Sequence, residues 1–306
     1  MPEQRVLLFE HVNLNISPSG LQEVRSLFID ALGLSEDPRP ALRGRINTLL
    51  WANMGLCQFH FPVDTLSNTG TATQSEQHLM QRIPGHLTLS IPPLSLSHAI
   101  TRLTNAGVPF VILSDSKIRV TAPCCDILLE EMTDDEAIAA KESMIGRVGQ
   151  HEQPMSVSLI YTMKQISIRV VDACQLSQIA TFWREIIGAI VLQNDTEVSI
   201  AAGPQGYPQK LLFFTTTTIN SAATGECCLG NRDGGSDEWH LALYIRDWEG
   251  ALERAKVNGV AFDNLRFSDR LEEATINQQF RTLEMGLGGP RLELEIRSVQ
   301  HTSCPL

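Results

Sequence analysis

The feature that most constrains this chain is a histidine and the interval that follows it. His11 opens the alternating stretch His11-Val12-Asn13-Leu14-Asn15-Ile16, and 75 residues on His86 opens His86-Leu87-Thr88-Leu89-Ser90-Ile91. Gln165 opens a third stretch, Gln165-Ile166-Ser167-Ile168-Arg169-Val170, and 75 residues beyond it His240 opens His240-Leu241-Ala242-Leu243-Tyr244-Ile245. Alternation of apolar and polar residues marks strands with two different faces. A fixed period marks a repeated supersecondary unit. Here the repeat returns a residue able to bind metal to the same place each time, so it bears on a site as well as on a fold.

The stretches between these strands repeat too. Leu21 to Leu32 has helical spacing at Val24, Leu27, Phe28 and Leu32, with Gly33 placed to end it. Helices are also expected from Leu96 to Asn105, from Leu176 to Ile187 and from Trp248 to Val257, ended by Gly107, Gly188 and Gly259. Short strands follow each helix, the clearest being Thr48–Trp51, Cys57–Phe61, Ile127–Met132, Lys210–Thr215 and Arg291–Ile296. Polar runs at Asp64–Gln77 and Ser221–Asp237 read as long connections at matching places in the two halves. The pattern is strand, helix, three strands, made twice in each half. At 306 residues, 43% hydrophobic and 19% charged, the chain is long and apolar enough for two globular domains. The expected boundaries are residues 1–135, a linker over 136–160, and 161–306.

Composition also narrows the partners. The net charge of −11 comes without a cluster of Lys and Arg, which argues against nucleic acid. No apolar run approaches the roughly 20 residues that span a bilayer, and Met1-Pro2-Glu3-Gln4-Arg5 lacks the layout of a signal peptide. Seven cysteines, with adjacent pairs at Cys124-Cys125 and Cys227-Cys228 and no CxxC, read as reduced thiols. The expectation is a cytoplasmic protein, monomer or homodimer, acting on a small-molecule substrate. Trp183, Trp239 and Trp248 read as core residues.

Four βαβββ modules in two domains resemble the vicinal oxygen chelate superfamily, which includes glyoxalase I, methylmalonyl-CoA epimerase, fosfomycin- and bleomycin-resistance proteins and extradiol dioxygenases. The helix exit Leu27-Phe28-Ile29-Asp30-Ala31-Leu32-Gly33-Leu34 and the closing strand around Leu292-Glu293-Leu294 carry the likeness, which runs from about residue 7 to 298. The implied fold is α+β, two tandem glyoxalase-like domains, each with two modules forming a cupped sheet. Carried over position by position, the resemblance implies metal ligands at His11, Gln58 or His60, His86 and Glu130 (or its neighbour Glu131), with Gln58 preferred. These donors would suit a divalent Zn, Ni, Co, Mn or Fe ion. The second domain offers the poorer set Gln165, His240 and Glu293. Glu130 is then the expected general base and His60 a substrate contact or proton donor.

Three activities are compatible with such a site. One is glyoxalase- or epimerase-like lyase or isomerase chemistry, by proton transfer beside a metal-bound carbonyl. Another is ring cleavage by an Fe(II) extradiol-type dioxygenase. The third is metal-free sequestration of a small molecule.

Overall fold

The computed structural model describes residues 5–37, 48–63, 81–148, 158–170, 173–203, 207–215, 239–264, 270–284, 292–302 and 304. The two expected long connections, Cys227-Cys228 and most of the second half of the expected linker lie outside them. Contacts divide the chain into an N-terminal unit, His11–Lys164, and a C-terminal unit that joins Met1–Glu10 to Gln165–Leu306. The divisions fall inside two unbroken strands, β1 (Val6–Asn13) and β9 (Thr162–Val170), so each of these strands belongs to both units.

In the N-terminal unit β1 leads to α1 (Leu21–Arg25), then to β2 (Ser35–Glu36), β3 (Leu49–Met54) and β4 (Cys57–Pro62). A second module runs through β5 (Gly85–Ile91), α2 (Leu96–Asn105), β6 (Phe110–Ser114), β7 (Lys117–Thr121) and β8 (Asp126–Glu131). In both modules the first strand lies parallel beside the fourth, and the rest of the ladder is antiparallel. The two modules lie in different sheets. Helix α2 buries Leu96, Ala99 and Leu103, the apolar stripe its spacing predicts.

The C-terminal unit repeats the plan. It has β9, α3 (Ala173–Phe182), β10 (Val191–Gln193), β11 (Glu197–Ala202) and β12 (Gln209–Thr215). The last module has β13 (His240–Ile245), α4 (Trp248–Val257), β14 (Ala261–Phe262), β15 (Gln279–Glu284) and β16 (Leu292–Ser298). Again β9 runs parallel to β12 and β13 parallel to β16. Trp183, Trp239 and Trp248 are buried, and no disulfide joins the described cysteines. Among the described residues no helix is long and apolar enough to cross a membrane.

One segment departs from the expectation. Asp134–Val148, placed largely in a linker, is helical. Thr133 and Glu136 close a capping box, with Thr133 N–H donating to Glu136 Oε2 at 2.8 Å and Glu136 N–H to Thr133 Oγ1 at 3.2 Å. The word Thr-Asp-Asp-Glu announces this helix start, and a reading based on apolar period passes over it.

The helices of the first and third modules end alike. Each passes into a π turn, Ser26–Ala31 or Trp183–Ile187. Each then closes with a six-residue backbone bond, Leu34 N–H to Phe28 O at 3.0 Å and Ala189 N–H to Trp183 O at 2.8 Å. The left-handed residue inside each turn is glycine, Gly33 at φ +77° and Gly188 at φ +75°. A Cβ on Gly33 would sit 2.8 Å from Leu159 Cβ, whereas one on Gly107, also left-handed at φ +66°, meets nothing within 4 Å. Gly33→Ala should therefore cost about 1–3 kcal/mol of stability in urea denaturation. Gly107→Ala should cost no more than about 1 kcal/mol. Equal losses would show that the packing against Leu159 is not what makes Gly33 necessary.

Candidate metal centre

Three polar residues of β16, Glu293, Glu295 and Arg297, fall at alternate positions and so share one face. The register sets His240 opposite Glu293, the small Ala242 opposite Glu295 and Tyr244 opposite Arg297. From the other side β15 sets Arg281 opposite Glu295. Arg281 donates from Nη1 to Glu293 Oε1 and from Nη2 to Glu295 Oε2, each at 2.6 Å. Arg297 donates from Nε to Glu295 Oε1 at 2.6 Å and from Nη1 to Glu10 Oε2 at 3.0 Å. Asn264 donates to both oxygens of Glu293, at 3.1 and 2.8 Å. His240 Nε2 lies 3.5 Å from Glu295 Oε2.

This cluster is buried. Glu10, Glu293, Glu295 and Arg281 are 3–5% exposed. Three carboxylates meet two guanidiniums, which leaves one negative charge in surplus when the histidines are neutral. Burial pushes the Glu293 carboxyl above the ordinary carboxylate range, and Arg281 and Asn264 offset this only in part. Burial works against the charge of Arg297 as well, but Glu295 and Glu10 hold its guanidinium firmly protonated.

His11 is the residue after Glu10 on β1. His240 and Glu295 are an imidazole and a carboxylate 3.5 Å apart in this buried cluster, donors that suit a divalent first-row ion. The His11 ring is packed in turn. His60 stacks on it with ring centroids 3.8 Å apart, and Trp51 stacks on the far side of His60 at 4.1 Å.

Of the residues expected as ligands, the second domain's His240 and Glu293 are in this cluster. Gln58 is opposite His11 in the β1–β4 register, but its amide is engaged elsewhere. It accepts from His60 Nε2 at 3.0 Å and donates to Asn53 Oδ1 at 2.7 Å and Asp37 Oδ2 at 3.2 Å. His86 and Glu130 lie on β5 and β8, in a different sheet from β1 and β4. Glu130 is bound by Lys117 at 2.9 Å and Lys164 at 2.8 Å, and Glu131 caps α2 by accepting from Leu96 N–H at 2.6 Å. Burial lowers the pKa of His86, helped by the charge of Lys117.

Register explains the difference. Glu295 lies two residues past the partner of its module's opening histidine, since His240 faces Glu293. In the second module His86 faces Asp126, so the matching position is Leu128, and in the third Gln165 faces Lys210, so it is Leu212. In the first module it is His60. Glu130 is two residues too far along, and Glu293 two residues too early. All share a face with the matching position, so alternation alone could not separate them.

No family model matches the chain, and no curated protein matches it by sequence. Among solved structures, a Bacillus subtilis protein provisionally named a dioxygenase aligns over 96% of this chain and 86% of its own, with 12% identity and a TM-score of 0.54. The chain has the vicinal oxygen chelate fold. Two further members of that fold align more loosely. They are 2,2',3-trihydroxybiphenyl 1,2-dioxygenase from Sphingomonas wittichii, at 9% identity over 95% of this chain and 90% of that one, TM-score 0.28, and lactoylglutathione lyase from Agrobacterium tumefaciens, at 15% identity over 44% and 92%, TM-score 0.27. The Bacillus subtilis likeness shows the fold, and a fold leaves the reaction to the site.

The lysine pair on Glu130 makes a prediction for acid. Burial raises this carboxyl, but Lys164 and Lys117 more than offset it, so its pKa lies below the ordinary 4.5. A depressed carboxylate contributes its stability in full above the ordinary value and loses it as pH falls through the folded one. Glu130→Gln should cost roughly 1 kcal/mol at neutral pH, because the group is partly exposed. The gap to the parent should close as pH falls below 4.5 and through the folded pKa. Metal content should be unchanged, and a Glu130→Gln protein that loses its metal would return Glu130 to the site.

Proposed function

We propose that this chain is a divalent-metal-dependent enzyme of the ring-cleaving dioxygenase class, acting on a small substrate with two adjacent oxygens such as a catechol. The observation that carries this reading is the pair His240 and Glu295, which stand 3.5 Å apart in a buried charged cluster, together with the likeness over 96% of this chain to a Bacillus subtilis protein provisionally named a dioxygenase. His240 and Glu295 would hold the ion, with positions open for a chelating substrate and for dioxygen. The ion, when bound, would relay electrons from the substrate to dioxygen. Arg297 holds Glu295 in place from Nε at 2.6 Å. His60, expected as an acid–base residue, is read here as positioning His11, since Trp51 and His11 cover its two ring faces.

A second reading is proton transfer beside the ion. It needs a carboxylate base, and Glu130 is in another sheet under two lysines. The feature that favours it is Glu293, a buried carboxylate beside His240 whose pKa burial raises above the ordinary value.

One reconstitution experiment separates the readings. Apoprotein loaded anaerobically with Fe(II), Mn, Co, Ni or Zn is offered catechols in one panel and thioesters or α-hydroxy thiol adducts in the other. The expected result is oxygen uptake that requires Fe(II) and a catechol. Turnover of the second panel with Zn and without oxygen would replace this reading by proton transfer. A chain that never holds metal yet binds a small apolar molecule would replace both by sequestration. His240→Ala should weaken metal binding by more than the roughly 10–100-fold that loss of a supporting hydrogen bond costs such a site. His86→Ala should leave it intact.

A further inference from the structure

Arg281 has no role in the reading above, and its position gives it one. It is 3% exposed on β15, and its two terminal nitrogens divide between Glu293 Oε1 and Glu295 Oε2. Glu295 Oε2 is also the oxygen nearest His240 Nε2. The guanidinium and a bound ion therefore address the same oxygen of the same carboxylate.

We infer that Arg281 is a built-in competitor for the metal, a tethered cation that neutralises Glu293 and Glu295 in the empty site and thereby sets how tightly the ion is held. The inference rests on His240 and Glu295 being ligands. Its physical basis is charge. With Arg281 present the cluster carries one surplus negative charge, and a divalent ion overshoots it. Without Arg281 the surplus is two, which a divalent ion balances. Coulomb repulsion between Arg281 and an ion a few ångströms away in a buried site is large.

An opposing effect has to be weighed, because a residue bonded to a ligand commonly orients it and its loss then weakens the site. Here orientation has a second source. Arg297 holds the other oxygen of Glu295 from Nε at 2.6 Å, and Asn264 holds Glu293 at 2.8 Å. Loss of Arg281 removes the repulsion and leaves both carboxylates partnered, so the charge effect should prevail.

The test is metal affinity, read by calorimetry or chelator competition with Mn(II) and Co(II), independent of any substrate. Arg281→Met should bind at least tenfold more tightly than the parent, and Arg281→Lys, which keeps the charge, should stay within a few-fold of it. The apo form of Arg281→Met should melt below the parent and gain more in Tm when metal is added. Glu293→Gln serves if Arg281→Met does not fold. It frees Arg281 to sit wholly on Glu295, so it should weaken metal binding at least tenfold. If both single variants fold, the Glu293→Gln effect should shrink once Arg281 is also Met. Equal or weaker binding by Arg281→Met, or an unchanged affinity in Glu293→Gln, overturns the inference. If parent and Arg281→Met both bind, both lose the ion with His240→Ala and their affinities are equal, this inference fails while the metal reading stands. If no variant binds metal, both fail.

Discussion

The parallel pairing of the first and fourth strands in each module is the constraint on which the rest depends. A parallel pair cannot be closed by a tight turn, so the chain must leave through a crossover that includes a helix. It then returns through two antiparallel strands to lie beside its start. The same route is taken four times, ending in β1–β4, β5–β8, β9–β12 and β13–β16. Because the pairing is direct, the residue that opens a module always faces a fixed place on its closing strand. Chemistry at that place is then a matter of which side chain happens to stand there.

The four modules show how one frame can keep or lose a site. Where β16 offers Glu295, the matching positions offer Leu128, Leu212 and His60. Two of these are apolar and end any prospect of a ligand. The third is an imidazole that stacks on His11 and bonds to Gln58. Polar residues still fill the second module, but they are engaged by lysines and a helix start. Lys117 and Lys164 close on Glu130, and Glu131 caps a helix.

The charged cluster around β16 is held by stricter rules than these surface-near pairs. Burying a carboxylate without a partner is costly, and removing one member of a buried pair is worse than never having buried it. Arg281 and Arg297 answer that cost for Glu293, Glu295 and Glu10, yet one negative charge remains. That remainder is what makes the cluster a candidate for a cation.

The sequence by itself determined the modules. The 75-residue intervals, the apolar stripes of the helices at Leu96–Asn105 and Trp248–Val257, and the glycines that end them are local signals, and local physics reads them directly. The helix at Asp134–Val148 was also written in the sequence, in a capping word rather than a period. The site was legible only in part. His240 could be named from its strand start, but nothing in the sequence singled out Glu295. Strand pairing is non-local. A period of two tells which residues share a face, whereas the register that brings Glu295 beside His240 is fixed only when two distant strands meet.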